Sequence, residues 1–403
     1  MKKALKCGKL FDAQAESVLE NRLVLVDGKD IVDVLPCPEQ LPEGYEVIDL
    51  SDRFVMPGLI DAHVHLGSGG TNADLTNNLY ALIGDLAFFA AKNAKANLEA
   101  GFTTVRDCGG NGFINISARK AVASGQFPGS RIYACAGSIT STGGHGDTHY
   151  NPYLHSTLSS QPCDSPDECR KMSRYYIKHG ADFIKVLATG GVMSRGTTLG
   201  AQQLTFEELS AVVEIANMYG VHTAAHAHGT EGIKAAARAG ITTIEHGMIL
   251  DDEAIDIFCE KGTYQVPTII AAERIITCGP EMGLADWMMD KAKQALDRHH
   301  WGLQEGLKRG VKYCFGTDAG TPSNFHGKQG YEFELMVQCG FTPMQALVAA
   351  TKTNAGMLKN DKLGAVAAGK FADIVAFEAN PLEDITTMKN CVFVMKEGEV
   401  YKS

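Results

Sequence analysis

The chain has 403 residues, of which 45% are hydrophobic and 21% charged, a balance that excludes a disordered polymer. Lys and Arg number 37 against 47 Asp and Glu, and the resulting formal charge of −10 argues against nucleic acid or an anionic membrane as partner, since both need a basic face. No apolar run reaches the roughly 18 residues of a membrane span. The 11 cysteines are scattered, odd in number and never arranged as CxxC, which fits a reducing, cytoplasmic setting, and the basic start at Lys2 and Lys3 leads into no signal-like apolar stretch.

Residues 1–57 carry two apolar runs, Leu23–Val26 and Ile31–Val34, about an Asp27-Gly28 turn, the pattern of a β-hairpin. A different rhythm follows. A helical stretch, a glycine and a short β-branched run recur at Gly101–Val105, Gly180–Ile184, Gly220–Thr223, Gly240–Ile244, Gly262–Val266 and Gly310–Cys314. Helix starts are marked by Ser165-Pro166-Asp167-Glu168, Thr205-Phe206-Glu207-Glu208 and Thr342-Pro343-Met344-Gln345. With Leu59–His65 and Arg131–Gly137 the strands come to eight, which predicts an α/β fold, a (β/α)8 barrel over residues 58–361, with a doubly wound open sheet as the competitor. Residues 362–403 are strand-rich again, with Ala372–Phe377, Cys391–Met395 and a Glu397-Gly398 turn. They are expected to pair with residues 1–57 as a small β-sandwich domain beside the barrel.

The chemistry gathers at the C-terminal ends of these strands, where barrel active sites are built. His63 and His65 alternate onto one face of strand 1, Lys185 lies in strand 4, His226 and His228 end strand 5, His246 ends strand 6 and Asp318 ends strand 8. Any one of these has an ordinary structural reading, such as a hydrogen-bonded core histidine or a capping aspartate. Imidazoles and a carboxylate converging from separate strands suit a borderline metal such as zinc. A protonated Lys185 would repel a metal, whereas its CO2 adduct, a carbamate, offers two anionic oxygens that bridge two ions. The alternative is a buried ion pair to Asp182 or Glu245. Arg106-Asp107 at the end of strand 2 reads as an internal ion pair. His145, with glycine on both sides, is a candidate for contact with a ligand, and Arg195, in the loop after strand 4, for clamping a substrate carboxylate.

At this point the chain resembles the amidohydrolase superfamily over nearly its whole length. The resemblance rests on Val55-Met56-Pro57-Gly58-Leu59-Ile60-Asp61-Ala62-His63-Val64-His65 and on Leu363-Gly364-Ala365-Val366 through Gly369–Val375. Lys185 resembles the carboxylated lysine of the binuclear zinc subgroup. That implies two zinc ions per chain, with His63, His65 and Asp318 on one, His226 and His246 on the other, and Lys185 between them. His226 is chosen over His228 by resemblance, since the two share a face. Gly143–Asp147, Ile184-Lys185 with Thr189–Ser194, and His226–Gly229 further resemble the Xaa-Pro, Xaa-Arg and Xaa-Lys dipeptidases and carboxypeptidases. Several of those relatives carry a tyrosine where His228 stands here.

The implied activity is hydrolysis of the amide of a dipeptide or N-acyl amino acid, with Asp318 moving the proton and His145 or His228 contacting the oxyanion or a substrate carboxylate. The acidic net charge is compatible with a basic C-terminal residue in the substrate. Opening of a cyclic amide, as in imidazolone hydrolysis, and cleavage of a xenobiotic N-acyl amide such as a mycotoxin are the alternatives. The resemblance also implies a homo-oligomer.

Overall fold

The computed structural model describes residues 2–71, 81–147, 160–195 and 197–403. The strands are β1 (Lys2–Asp12), β2 (Ser17–Asp27), β3 (Asp30–Pro36), β4 (Glu46–Pro57), β5 (Leu59–Val64), β6 (Phe102–Asp107), β7 (Arg131–Ala134), β8 (Ser138–Thr140), β9 (Gln161–Pro162), β10 (Phe183–Leu187), β11 (His222–Ala227), β12 (Thr243–His246), β13 (Tyr264–Val266), β14 (Lys312–Tyr313), β15 (Ile374–Phe377), β16 (Cys391–Lys396) and β17 (Glu399–Lys402).

β5 to β14, apart from the short β9, form a parallel barrel with helices outside. The ladders run β5-β6-β7 and then β8-β10-β11-β12-β13-β14. The eighth strand closes on the first through Ala62 N–H to Phe315 O at 2.9 Å and His65 N–H to Ala319 O at 2.8 Å. The predicted strand Arg131–Gly137 is broken. It ends at Ala134, Ala136 takes φ +68°, and pairing resumes at Ser138, so one barrel position is filled by β7 and β8 in succession.

The helix signals act as their chemistry predicts. Ser165, Thr205 and Thr342 each accept a hydrogen bond at their side chain from the backbone N–H three residues on. Gly220 and Gly310 end their helices at φ +70° and +85°, a left-handed turn that a side chain would strain. Each glycine returns the chain to a barrel strand. Among the described residues no helix is long and apolar enough to cross a membrane.

The two chain ends interleave in one mixed sheet, β3-β2-β1-β4-β15-β16-β17. β1 and β4 pair in parallel and the other neighbours antiparallel. The sheet has an apolar cluster of its own that includes Leu5, Val24, Val55, Ile374 and Phe393. It is fixed to the barrel by Arg131, which donates to Asp373 at 2.6 Å and Glu397 at 2.8 Å, and by Lys396, which donates to Gly129 O at 2.6 Å. β4 runs through Gly58 straight into β5, so this sheet anchors the strand that carries His63.

Candidate metal centre

The histidines of strands 1 and 6 are oriented from behind. His63 Nδ1 donates to Glu245 Oε2 at 2.8 Å, and His65 Nδ1 donates to Gly109 O at 3.1 Å. His246 Nδ1 is hydrogen-bonded to Thr268 Oγ1 at 2.6 Å. With Nδ1 engaged, each ring has Nε2 free for the centre, the arrangement typical of metal-bound imidazole. His63 Nε2 and His65 Nε2 approach the same oxygen, Asp318 Oδ1, at 3.3 and 3.0 Å. Asp61 ties the two strands beneath them, accepting from Thr317 Oγ1 at 2.6 Å and from His63 N–H at 3.0 Å.

The backbone is strained at this rim. His246 ends β12, Thr268 and Asp318 follow the next two strands, and the three hold φ of +68°, +47° and +61°. Non-glycine residues seldom adopt that region, and strain of this kind concentrates at functional sites.

The remaining rings crowd the same space. His226 lies 4.5 Å from His228 and 4.7 Å from His246 between ring centroids, and His145 stacks on His226 at 4.1 Å. Donor atoms of His226, His228 and His246 lie within 4.8 Å of one another, as do those of His63, His246 and Asp318. His63, His226, His228, His246 and Asp318 are buried. His226 Nε2 and His228 Nδ1 have no hydrogen-bond partner among the described residues, and Asp318 Oδ1 has only its approach to the His63 and His65 rings. Buried polar atoms left so are costly, and a cation among them would satisfy all three.

Lys185 is 2% exposed and lines the same cavity. The ion-pair alternatives are taken by others. Asp182 pairs with Arg119, and Glu245 pairs with Arg106 at 2.7 Å and with His63. Among the described residues Lys185 has no ion pair. The donor set, neutral rings plus a carboxylate plus a buried unpaired amine, fits a metal centre.

The electrostatics agree. Burial, then the Lys185 charge, lower His63 and His145 to about 4. Burial and neighbouring imidazoles hold His228 at about 3 and His226 and His246 well below their ordinary value. Neutral imidazole is the form that binds a metal. His65 goes the other way: burial opposes its charge, but the Asp318 contact outweighs it. Asp318 stays below the usual carboxylate range because His63 and His65 overcome its burial. Glu245 is likewise held low against burial, chiefly by Arg106.

The histidines, Lys185 and Asp318 line a cavity of about 370 Å³ at the C-terminal mouth of the barrel. His145 enters it from the loop after β8, with Nδ1 2.5 Å from Ser194 Oγ. A Cβ on Gly191 would fall 2.4 Å from the His145 ring, so only glycine lets the loop after β10 close over it. Arg195, on the same loop, is exposed and does not line the cavity. Arg106 and Asp107 are not an ion pair. Their adjacent side chains take opposite faces, Arg106 inward to Glu245 and Asp107 to Leu66 N–H at 2.9 Å and Asn115 Nδ2 at 3.0 Å.

Sequence reasoning missed the orienting roles of Glu245 and Thr268. The signal for Glu245 was a carboxylate directly before a candidate ligand in a buried strand. It also missed Lys291, whose Nζ donates to Ser194 O at 3.0 Å and Thr197 O at 2.6 Å and so holds the loop that braces His145.

A closed β/α barrel with histidines and an aspartate converging at its C-terminal mouth defines a metal-dependent hydrolase. The chain belongs to the amidohydrolase family, whose model matches residues 54–401. It is 31% identical to the ochratoxinase of Aspergillus niger over 98% of this chain and 85% of the relative. A solved Xaa-Pro dipeptidase with methionine bound in its active site is 36% identical, with a TM-score of 0.91 over 100% of both chains. A solved prolidase in complex with N-methylphosphonate-L-proline is 30% identical, with a TM-score of 0.92, again over 100% of both. The protein is therefore an enzyme, a metal-dependent hydrolase of amide bonds.

Proposed function

We propose that the enzyme cleaves the amide bond of dipeptides or N-acyl amino acids and releases the C-terminal residue, using two zinc ions per chain. His63, His65 and Asp318 would hold one ion and His226 and His246 the other. Lys185 would bridge them as a carbamate, formed when its neutral amine adds to CO2 and gives up one proton. The observation that carries this reading is Lys185 itself, buried in the histidine-lined cavity and without an ion pair among the described residues. The dipeptidase and prolidase likenesses support the substrate class.

When bound, the ions lower the pKa of water and polarise the scissile carbonyl. Asp318 accepts the proton that the attacking water loses as its oxygen bonds to the carbonyl carbon. Asp318 then delivers that proton to the amine nitrogen as the C–N bond breaks. His145, its ring fixed by Ser194 and His226, and His228, with Nδ1 unbonded, can donate to the carbonyl oxygen as it gains negative charge or hold the substrate carboxylate.

A second reading, a xenobiotic N-acyl amino acid as substrate, is favoured by the identity to the Aspergillus ochratoxinase and requires the same bond cleavage. The deciding experiment is a library of dipeptides, N-acyl amino acids and cyclic amides given to zinc-loaded enzyme. Release of a free C-terminal amino acid is expected. Ring opening with no amino acid released would overturn the proposal.

A further inference from the structure

The cavity has two apolar walls. Leu86 and Ile114 stand on the helices after the first and second barrel strands, Ile83–Glu99 and Ile114–Ala123. Met193 follows the fourth strand and Met248 the sixth, while Ala272 and Ile275 lie on the helix Ile269–Cys278 after the seventh. In an eight-membered barrel the first and second strands face the fifth and sixth, so the second wall, spread from the fourth strand to the seventh, lies across the centre from the first. Histidines aside, Lys185 and Asp318 are the only charged side chains among the described lining residues. Asp318 is engaged with His63 and His65. Among the described residues no carboxylate stands on either wall.

We infer that the enzyme selects substrates whose side chains on both sides of the scissile amide are apolar, and rejects lysine or arginine at either position. This rests on the amide-hydrolysis reading for the placement of the two side chains. A cationic side chain entering this mouth loses water and gains no counter-charge from the described lining residues, a strongly unfavourable exchange. An apolar one covers Met193, Met248 and Ile275, and the two thioethers adapt to branched and straight chains alike. The acidic net charge of the whole chain, which admits basic substrates, therefore lies elsewhere than in the substrate cavity.

The test uses norleucine and lysine: lysine is norleucine with an ammonium in place of one hydrogen of the terminal methyl, so the two share the four-carbon stem and differ in the charged tip. Zinc-loaded enzyme is given norleucyl-norleucine, lysyl-norleucine and norleucyl-lysine, and free norleucine and lysine are titrated by calorimetry. Each lysine is expected to lower kcat/KM at least about tenfold, and free lysine to bind at least about tenfold more weakly than norleucine. Met248→Glu or Ala272→Asp, which put a carboxylate on one wall, should narrow the ratio at one position only. Lysine accepted at either position with less than a tenfold loss overturns the inference and leaves amide hydrolysis standing. If no dipeptide is cleaved, the amide reading falls and the calorimetric ratio decides the selectivity by itself.

Discussion

Glu245 and His63 are 182 residues apart in the chain and 2.8 Å apart in the barrel. The same carboxylate takes the Arg106 guanidinium at 2.7 Å, and Arg106, His63 and Glu245 are all essentially inaccessible to solvent. One acidic group thus neutralises a buried cation and fixes the tautomer of a candidate ligand. Glu245→Gln keeps the shape and removes the charge. It is expected to weaken metal binding by about 10- to 100-fold and to cost about 3–5 kcal/mol of stability, because Arg106 is left buried and unpaired. Metal titration and urea unfolding of the variant measure the two effects. Wild-type values in both would show that the pair orients nothing.

Lys185→Ala should lose both metal and turnover. Elemental analysis is expected to show most of the zinc gone, and a short carboxylate such as propionate to restore part of it by standing in for the carbamate. Full metal content in the alanine variant without added acid would remove Lys185 from the bridging position.

Asp318→Asn should fold, since the backbone contacts at this rim do not depend on the carboxylate charge: Asp318 N–H donates to His63 O at 2.7 Å. The amide cannot accept and return a proton. Its kcat is expected to fall by about 10² to 10⁴, with the circular dichroism spectrum unchanged. A kcat within a few-fold of wild type would assign proton transfer to another group.

The strand-end residues were legible because a barrel strand has a two-residue period and a fixed functional end. Spacing puts His63, His65, Lys185, His226, His228, His246 and Asp318 at strand ends, and all seven line one cavity, but spacing does not choose between His226 and His228. The sheet made of both chain ends was legible for a similar reason, in alternating apolar runs bounded by Asp27-Gly28 and Glu397-Gly398. What spacing does not carry is the partner of a side chain. Arg106 and Asp107 are neighbours in sequence, so pairing them was natural, yet adjacent strand residues face opposite ways and each found a partner far along the chain. Lys291 sits on an unremarkable helix and acts only through carbonyls that the loop after β10 brings to it. The break at Ala136 is equally silent, because a left-handed alanine leaves no mark in composition.

The buried histidines outside the centre make stability depend on pH. His222 stacks on Phe183 with centroids 4.9 Å apart, and its Nε2 has no hydrogen bond among the described residues. Burial, then the Arg106 charge, lower it to about 3 in the fold, against an ordinary value of 6.5. His299 and His326 are lowered to about 3 and about 4, also chiefly by burial. Below pH 6.5 the unfolded chain takes up protons that the folded one refuses. The stability tied to these groups is therefore complete above that pH and drains away as pH falls toward 3 to 4. Each contributes a slope of about 1 kcal/mol per pH unit inside that window. His222→Phe keeps the stack and removes one proton from the balance. Its urea midpoint should therefore fall less steeply than that of wild type between pH 6 and pH 4. Parallel slopes for the two proteins would mean that His222 is protonated as readily in the folded state as in the unfolded one.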